Sequence, residues 1–313
     1  MKAAQINKYG DFGVVEINKN AQKPDATKGK ILVEVHAAGV NPVDWNIRQG
    51  YFAQTMSLQF PATLGGDFSG IVVEVGEGVS GFKRGDEVYG SAIILGGGSG
   101  SFAEFALANA KAVANKPKKV NHVEAAALPL AGVSALQALL DHINLKKGQK
   151  ILIHGGAGGI GTFAIQIARH LGAYTATTVS KNDIQHAKDL GADEVIDYKN
   201  QAFEKMLKDF DAVFDTVGGQ TYERSFKVLK KGGIIVSMLE QPNKGLMDQH
   251  GVKAIAQFTQ ITGDRLSKLA ELVDKDVIKL HVDKTFQLDQ TGEALHYLQT
   301  GHPRGKVVIE VKR

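Results

Sequence analysis

The run Ile151-Leu152-Ile153-His154-Gly155-Gly156-Ala157-Gly158-Gly159-Ile160-Gly161 constrains this chain more than any other segment. An apolar stretch without alternation, as at Ile151 to Ile153, marks a strand covered on both faces. The glycines after it place GxGxxG at Gly156, Gly158 and Gly161. Beyond them Ile160, Phe163, Ala164, Ile167, Ala168 and Leu171 recur at the spacing of one helical face, and Gly172 stands where a C-terminal cap belongs. Strand, glycine turn and helix in this order let backbone approach a pyrophosphate closely and aim the free N–H groups of a helix N-terminus at it. Gly156, Ala157, Gly158, Gly159, Ile160 and Gly161 are therefore candidate dinucleotide-binding residues. The run Gly96-Gly97-Gly98-Ser99-Gly100 lacks a strand and helix around it and reads as a flexible turn.

A site for NAD places Asp or Glu about 20 residues past the glycines, where the carboxylate accepts from the ribose 2′-hydroxyl. Here that place holds Thr178-Val179-Ser180-Lys181, and the first acid, Asp183, reads as part of the next helix. Ser180 can hydrogen-bond a 2′-phosphate and Lys181 can neutralise it, whereas a carboxylate would repel it. NADPH is the expected cofactor, with Thr178, Ser180 and Lys181 beside its phosphate. Ser180 equally suits a helix N-cap and Lys181 a solvated position.

Around this loop the chain has two textures. Up to about Val120 the strands are short and often alternate, so that Ile31, Val33 and Val35 share a face, and glycine turns separate them. A helix is expected from Glu124 to His142. Then strand, glycine and helix alternate, with strands expected at 174–179, 194–198, 212–215 and 233–238 and a helix at 183–190 closed by Gly191. This is the pattern of an α/β protein with a doubly wound parallel sheet. A last strand at 306–311 is expected to return to the first domain.

With 313 residues, 43% of them apolar, the chain can bury two domains. Its net charge of +4 is spread over scattered lysine pairs, without the clustered basic and aromatic face that nucleic acid requires. It has no cysteine, which removes disulfides and thiolate metal sites and agrees with a reducing, cytoplasmic setting. The first residues lack the apolar core of a signal peptide, and the longest apolar stretch is too short to cross a bilayer. No secretion and no membrane partner are expected. The ten histidines show no pair at metal-ligand spacing, so no metal is expected, and His154, at the end of a core strand, reads as a structural histidine.

Five further segments complete a pattern: Ala38-Gly39-Val40-Asn41-Pro42-Val43-Asp44, Leu64-Gly65-Gly66-Asp67-Phe68-Ser69-Gly70, Val88-Tyr89-Gly90, Gly100-Ser101-Phe102-Ala103-Glu104-Phe105 and Arg304-Gly305-Lys306-Val307-Val308. With the glycine loop they make the chain resemble a zinc-independent member of the medium-chain dehydrogenase/reductase superfamily, in the quinone oxidoreductase and enone (alkenal) reductase branch. The resemblance covers nearly the whole length. It implies a GroES-like β-rich catalytic domain over 1–124, completed by the tail from about 275 to 313, and a Rossmann NADP-binding domain over 125–274. It also implies a homodimer. Zinc-dependent relatives carry a cysteine ligand near Asn41, a Gly-His-Glu where this chain has Gly65-Gly66-Asp67, and often a four-cysteine lobe after the region of Tyr89. None of those ligands is present.

The resemblance further places Tyr198 against the adenosine phosphate, Val217 and Gly218 near the nicotinamide, and Lys306 near the cofactor. Tyr198 also suits a strand end packing on the sheet, the glycines a plain turn, and Lys306 the surface. The expected activity is transfer of a hydride from NADPH to a quinone or small α,β-unsaturated carbonyl, without zinc. Asn41 is the leading candidate to donate to the substrate oxygen, with Asp44 and Trp45 after it in the same loop, one orienting a polar neighbour and the other walling an apolar pocket. Asn41-Pro42 also reads as a turn. Ser134 resembles a family hydroxyl near the nicotinamide and equally suits a helix serine bonded to its own backbone. Related alkenal reductases carry a lysine near position 46, where this chain has Asn46. The alternative of another class is a non-catalytic NADPH-binding sensor or partner-binding protein.

Overall fold

The computed structural model describes residues 1–312. They form two compact units, Ala131–Gln260 and, made of two pieces of chain, Met1–Leu130 with the segment from Ile261 onward. Against the expected 125–274, the helix Gly263–Asp274 falls with the first-listed strands of the chain rather than with the glycine loop. The reason is local. Its Leu266 and Leu269 are buried, and the phenol of buried Tyr89 donates to the Leu266 carbonyl.

The unit Ala131–Gln260 holds six parallel strands: Lys150–His154, Tyr174–Val179, Glu194–Asp197, Phe210–Asp215, Leu229–Ser237 and Lys253–Ala256. Numbered along the chain within this sheet, their spatial order is 3-2-1-4-5-6. That is the Rossmann order, and its switch point lies between the first and fourth strands, where ligands bind beyond the carboxyl ends. The expected helix at 183–190 runs Ile184–Leu190, closed by Gly191 in the left-handed region. The expected single helix from Glu124 to His142 is divided into His122–Ala126 and Pro129–Leu136, the latter running on through a π-helical turn at Gln137–His142. A proline ring clashes with the carbonyl four residues back, so Pro129 starts a helix and cannot continue one.

The other unit is built on the strand Lys30–Val40, which pairs antiparallel with Asp67–Val75, Phe105–Asn109 and Lys306–Glu310. Ile31, Val33 and Val35 share a buried face as their alternation requires. The strand Lys306–Glu310 joins this sheet, as expected, and it is the register of pairing that matters most. Gly39 faces Asp67 and Val40 faces Val307, so Asn41, Asp67 and Lys306 meet at one end of three neighbouring strands. Gly39 is a necessity there, since a Cβ would lie 2.3 Å from the Ala126 carbonyl oxygen.

Two expectations fail in this unit. Pro42 to Gln49 is a helix, not a loop: Asn41 is its N-cap, Pro42 sets the first φ, and the Asp44 carboxylate reaches back to the Asn41 N–H at 2.8 Å. The glycines from 96 to 100 are not a slack turn either, because a Cβ on Gly98 or Gly100 would strike the carbonyl oxygens of Ala92 or Thr63 at 2.1 and 2.3 Å.

His154 is fully buried, with its ring nitrogens 3.0 Å from Thr178 Oγ1 and 2.9 Å from Ser225 Oγ. Burial, aided by the Arg224 charge, pushes its pKa down from 6.5 to about 3. The folded state therefore refuses a proton that the unfolded chain accepts below 6.5, so stability falls as pH drops through that window, by about 1.4 kcal/mol per pH unit from this group. Denaturant unfolding of His154→Gln and wild type across pH 4 to 7 is expected to show their difference shrinking on acidification. A pH-independent difference would rule this out.

Candidate active site

The glycine loop has the geometry of a close-approach cradle. Gly158 is the N-cap of the helix Gly159–His170 and has no side chain with which to cap it. A Cβ on Gly156 would lie 2.1 Å from Thr177 Oγ1, and one on Gly161 would lie 2.2 Å from the Gly155 carbonyl oxygen. Strand, loop and helix are thus packed backbone to backbone, and the leading N–H groups at Ile160 and Gly161 are left for an anion. Ala157 and Gly159 complete the turn. Thr178 lies under it: its hydroxyl meets His154 Nδ1 and its carbonyl accepts from Gly156 N–H at 3.1 Å.

At the end of the second strand Lys181 is exposed, and Ser180 begins the short turn Lys181–Asp183. The Ser180 hydroxyl donates to Asp183 Oδ2 at 2.6 Å, so Asp183 stands beside Ser180 rather than away in the next helix. Tyr198 is half exposed, held by its N–H to the Val179 carbonyl at 3.1 Å, with the Lys199 ammonium 6.0 Å from its ring. After the fourth strand, Asp215 Oδ1 accepts from the N–H groups of Val217 and Gly218, both at 3.0 Å, and Ser237 Oγ holds Oδ2 at 2.7 Å. The Val217 side chain is half exposed, and Gly218 takes the left-handed φ of +77° that spares it a Cβ penalty. Ser134 is buried, its hydroxyl 2.7 Å from Thr259 Oγ1 and its carbonyl accepting from Gln257.

In the other unit the chemistry gathers at the strand ends. Lys306 is only 4% exposed, which overturns the surface reading of this lysine. Its ammonium donates to the Val40 carbonyl at 3.1 Å and to Asn41 Oδ1. On its other side the Asn41 amide donates through Nδ2 to Asp67 Oδ2 at 2.8 Å, and Asp67 also accepts from Leu130 N–H. Asn41 thus bridges a buried cation and a buried carboxylate. A flipped amide would set NH2 against ammonium and carbonyl against carboxylate, forfeiting two charge-assisted bonds of about 1.5–3 kcal/mol each.

Burial pushes Asp67 up to about 6, against the pull of Lys306 and its hydrogen bonds. Asp44, fully buried behind Asn41, is pushed up to about 8 by burial, its bond from Asn41 opposing and the Asp67 charge adding. Burial also pulls the Lys306 ammonium down from its ordinary value, against the Asp67 and Asp44 charges that hold it up. Of the two acids Asp44 is the more strongly raised, so a neutral Asp44 beside an ionised Asp67 leaves the least uncompensated charge. Trp45 is partly buried and packs on the adjoining apolar core. Sequence reasoning singled out Asn41, Asp44 and Lys306 but missed Asp67 as a partner, and it placed Asp215 at a strand end by the crevice without foreseeing its hold on the Val217 and Gly218 N–H groups. Asp67 could have been found by pairing the strand that ends at Val40 with the one that starts there.

Residues 27–118 match the family model described as "Alcohol dehydrogenase GroES-like domain", and residues 190–309 match the one described as "Zinc-binding dehydrogenase". The 2-methylene-furan-3-one reductase of Solanum lycopersicum is 38% identical, over 99% of this chain and 79% of that protein. The chain belongs to the medium-chain dehydrogenase/reductase family. Within the family it lies in the quinone oxidoreductase and enone reductase branch. The chloroplastic NADPH-dependent alkenal/one oxidoreductase of Arabidopsis thaliana is 35% identical over the same shares of each chain. The structure of the quinone oxidoreductase from Coxiella burnetii superposes with a TM-score of 0.91 at 35% identity, covering 100% of this chain and 99% of that one. The reductase is an NADPH-dependent enzyme, which removes the non-catalytic alternative.

For that cofactor Gly156 to Gly161 would hold the pyrophosphate, Lys181 the 2′-phosphate, Tyr198 the adenosine side, and Val217 and Gly218 the nicotinamide side, while Ser180 would have to release its hydroxyl from the Asp183 carboxylate to join Lys181 at the phosphate. Among the described residues no three His, Asp or Glu side chains cluster as a metal site, and no helix is long and apolar enough to cross a membrane. Replacing Lys181 by Ala is expected to weaken NADPH binding by roughly 10- to 150-fold while leaving NADH nearly unchanged, the worth of one charge-assisted bond. Fluorescence titration with both cofactors checks this, and equal weakening would take the phosphate away from Lys181.

Proposed function

We propose that the reductase reduces quinones or small α,β-unsaturated carbonyls without zinc. The observation that carries this reading is the Asn41 amide held between the Lys306 ammonium and the Asp67 carboxylate. NADPH, when bound, supplies a hydride. As the carbon–carbon π bond of an enone breaks and a C–H bond forms at its far carbon, the electron pair moves to the carbonyl oxygen, and a quinone oxygen gains charge in the same way. A fixed donor at that oxygen lowers the barrier. Asn41 has two Nδ2–H groups, and Asp67 accepts one of them. The other is the donor we assign to the substrate oxygen. A proton from solvent then completes the reduction at carbon for an enone or at oxygen for a quinone.

Zinc plays no part in this scheme. Neither Asn41 nor Lys306 is a metal ligand of the usual kind, and the chain has no cysteine. We assign Trp45, partly buried against the adjoining core, to wall an apolar substrate pocket, and neutral Asp44 holds the Asn41 N–H without adding a second buried anion. We place Ser134 beside the nicotinamide through its Thr259-linked hydroxyl, and assign a homodimeric assembly and a cytoplasmic setting in keeping with a cysteine-free chain.

Steady-state NADPH oxidation over a panel of 1,2-quinones and small enones tests the activity, and rates no greater than buffer would overturn it. Asn41→Ala is expected to lower turnover by roughly 100-fold with NADPH affinity retained. Metal analysis is expected to find well under one zinc per chain, with no loss of activity to chelators. Stoichiometric zinc would defeat the zinc-free scheme.

A further inference from the structure

We propose that Lys306 is a positioning residue for this reduction: through Asn41 Oδ1 it locks the Asn41 amide with Nδ2 on the Asp67 side, leaving the second Nδ2–H as the donor to the substrate oxygen. The inference rests on the activity proposed above and on three observations.

The first is register. Lys306 opens the strand paired with Lys30–Val40, so its stem begins beside Val40 and its ammonium ends at Asn41, where a helix N-terminus and the head of a third strand also meet. The second is the donor count. An ammonium has three N–H groups and no acceptor, so a carbonyl oxygen is the only part of the amide it tolerates. With Oδ1 turned to Lys306, Nδ2 must face Asp67, and the two contacts select the same amide orientation. The third is burial. Val40 O and Asn41 Oδ1 are the partners of an ammonium almost wholly removed from water. Burying it is unfavourable, and removing it alone would leave the Asp67 charge and two carbonyl oxygens without their cation, so the lysine is kept by the polar groups it faces and not by apolar packing. Its contact with Asn41 Oδ1 fixes which way the amide faces.

Burial lowers the Lys306 pKa, and the charges that oppose it are Asp67, at the head of the neighbouring strand, and Asp44, on the helix after Asn41. Asp67 must be ionised to act as a pure acceptor. Once protonated it can donate, and the amide loses its preference. The Lys306 charge favours the ionised form of Asp67. Removing that charge is thus expected to carry Asp67 ionisation upward and to move the acidic limb of the pH–rate profile with it.

The test compares wild type, Lys306→Met, Lys306→Arg and Asp67→Asn, each checked for folding by circular dichroism. Carboxyl carbon NMR of the cofactor-free protein reads the Asp67 titration, fluorescence reads NADPH affinity, and steady-state kinetics reads kcat from pH 5 to 9. Lys306→Met is expected to titrate Asp67 above its wild-type midpoint and to lower kcat by roughly 10- to 100-fold with NADPH affinity within about twofold. Lys306→Arg, keeping the cation, is expected to recover part of the rate. Asp67→Asn is expected to lose the acidic limb, and this reading stands even if Lys306→Met does not fold. An unmoved Asp67 titration with wild-type kcat overturns the proposal. So does a loss of NADPH affinity that accounts for the whole loss of rate, because Lys306 would then be a cofactor contact. Absence of turnover in wild type overturns the proposed activity itself, and is told apart because failure of the Lys306 role shows only in the variants.

Discussion

The hydrogen bonds that join Lys306, Asn41 and Asp67 are the interaction on which the β-rich unit turns. An ammonium and a carboxylate taken from water each carry a penalty of several kcal/mol that only good geometry offsets. Here the geometry is supplied by three strands ending at one level, and by an asparagine that satisfies both charges with opposite ends of one amide. Gly39 permits that level, since no larger residue fits beneath the Ala126 carbonyl. Asp44 stays out of the charge balance because burial keeps it protonated at neutral pH. The result is a polar site of fixed orientation, and fixed orientation is what a transition-state donor requires.

The Rossmann-type unit solves a different problem with backbone alone. A pyrophosphate must come close to main-chain N–H groups, and Gly156 and Gly161 let strand, loop and helix pack tightly enough to present them, since a Cβ at either would strike Thr177 Oγ1 or the Gly155 carbonyl oxygen. The neighbouring loop is shaped by Asp215, whose two oxygens take two backbone N–H groups and a serine hydroxyl. Nothing in that loop depends on the identity of Val217 beyond its exposed apolar surface. Each loop is therefore organised before a ligand arrives, and less ordering remains to oppose binding.

What the sequence determined by itself was whatever local chemistry decides. The glycine spacing, the unbroken apolar run before it and the helical periodicity after it specified a dinucleotide cradle, and a doubly wound parallel sheet followed from the alternation of strands with helices, whereas its strand order came only with the structure. Alternation placed Ile31, Val33 and Val35 on one buried face, and His154 at a strand end was legible as structural. The tertiary structure decided what depends on register between distant strands. Whether Lys306 is a surface lysine or a buried cation cannot be read from Gly305-Lys306-Val307, because the answer lies in its pairing with Val40, some 266 residues earlier. The same holds for Asp67, whose partner Asn41 is set by the Gly39–Asp67 pairing. Local patterns fix which face a residue takes. Only the sheet, by choosing which strand ends meet, decides which charges share a site.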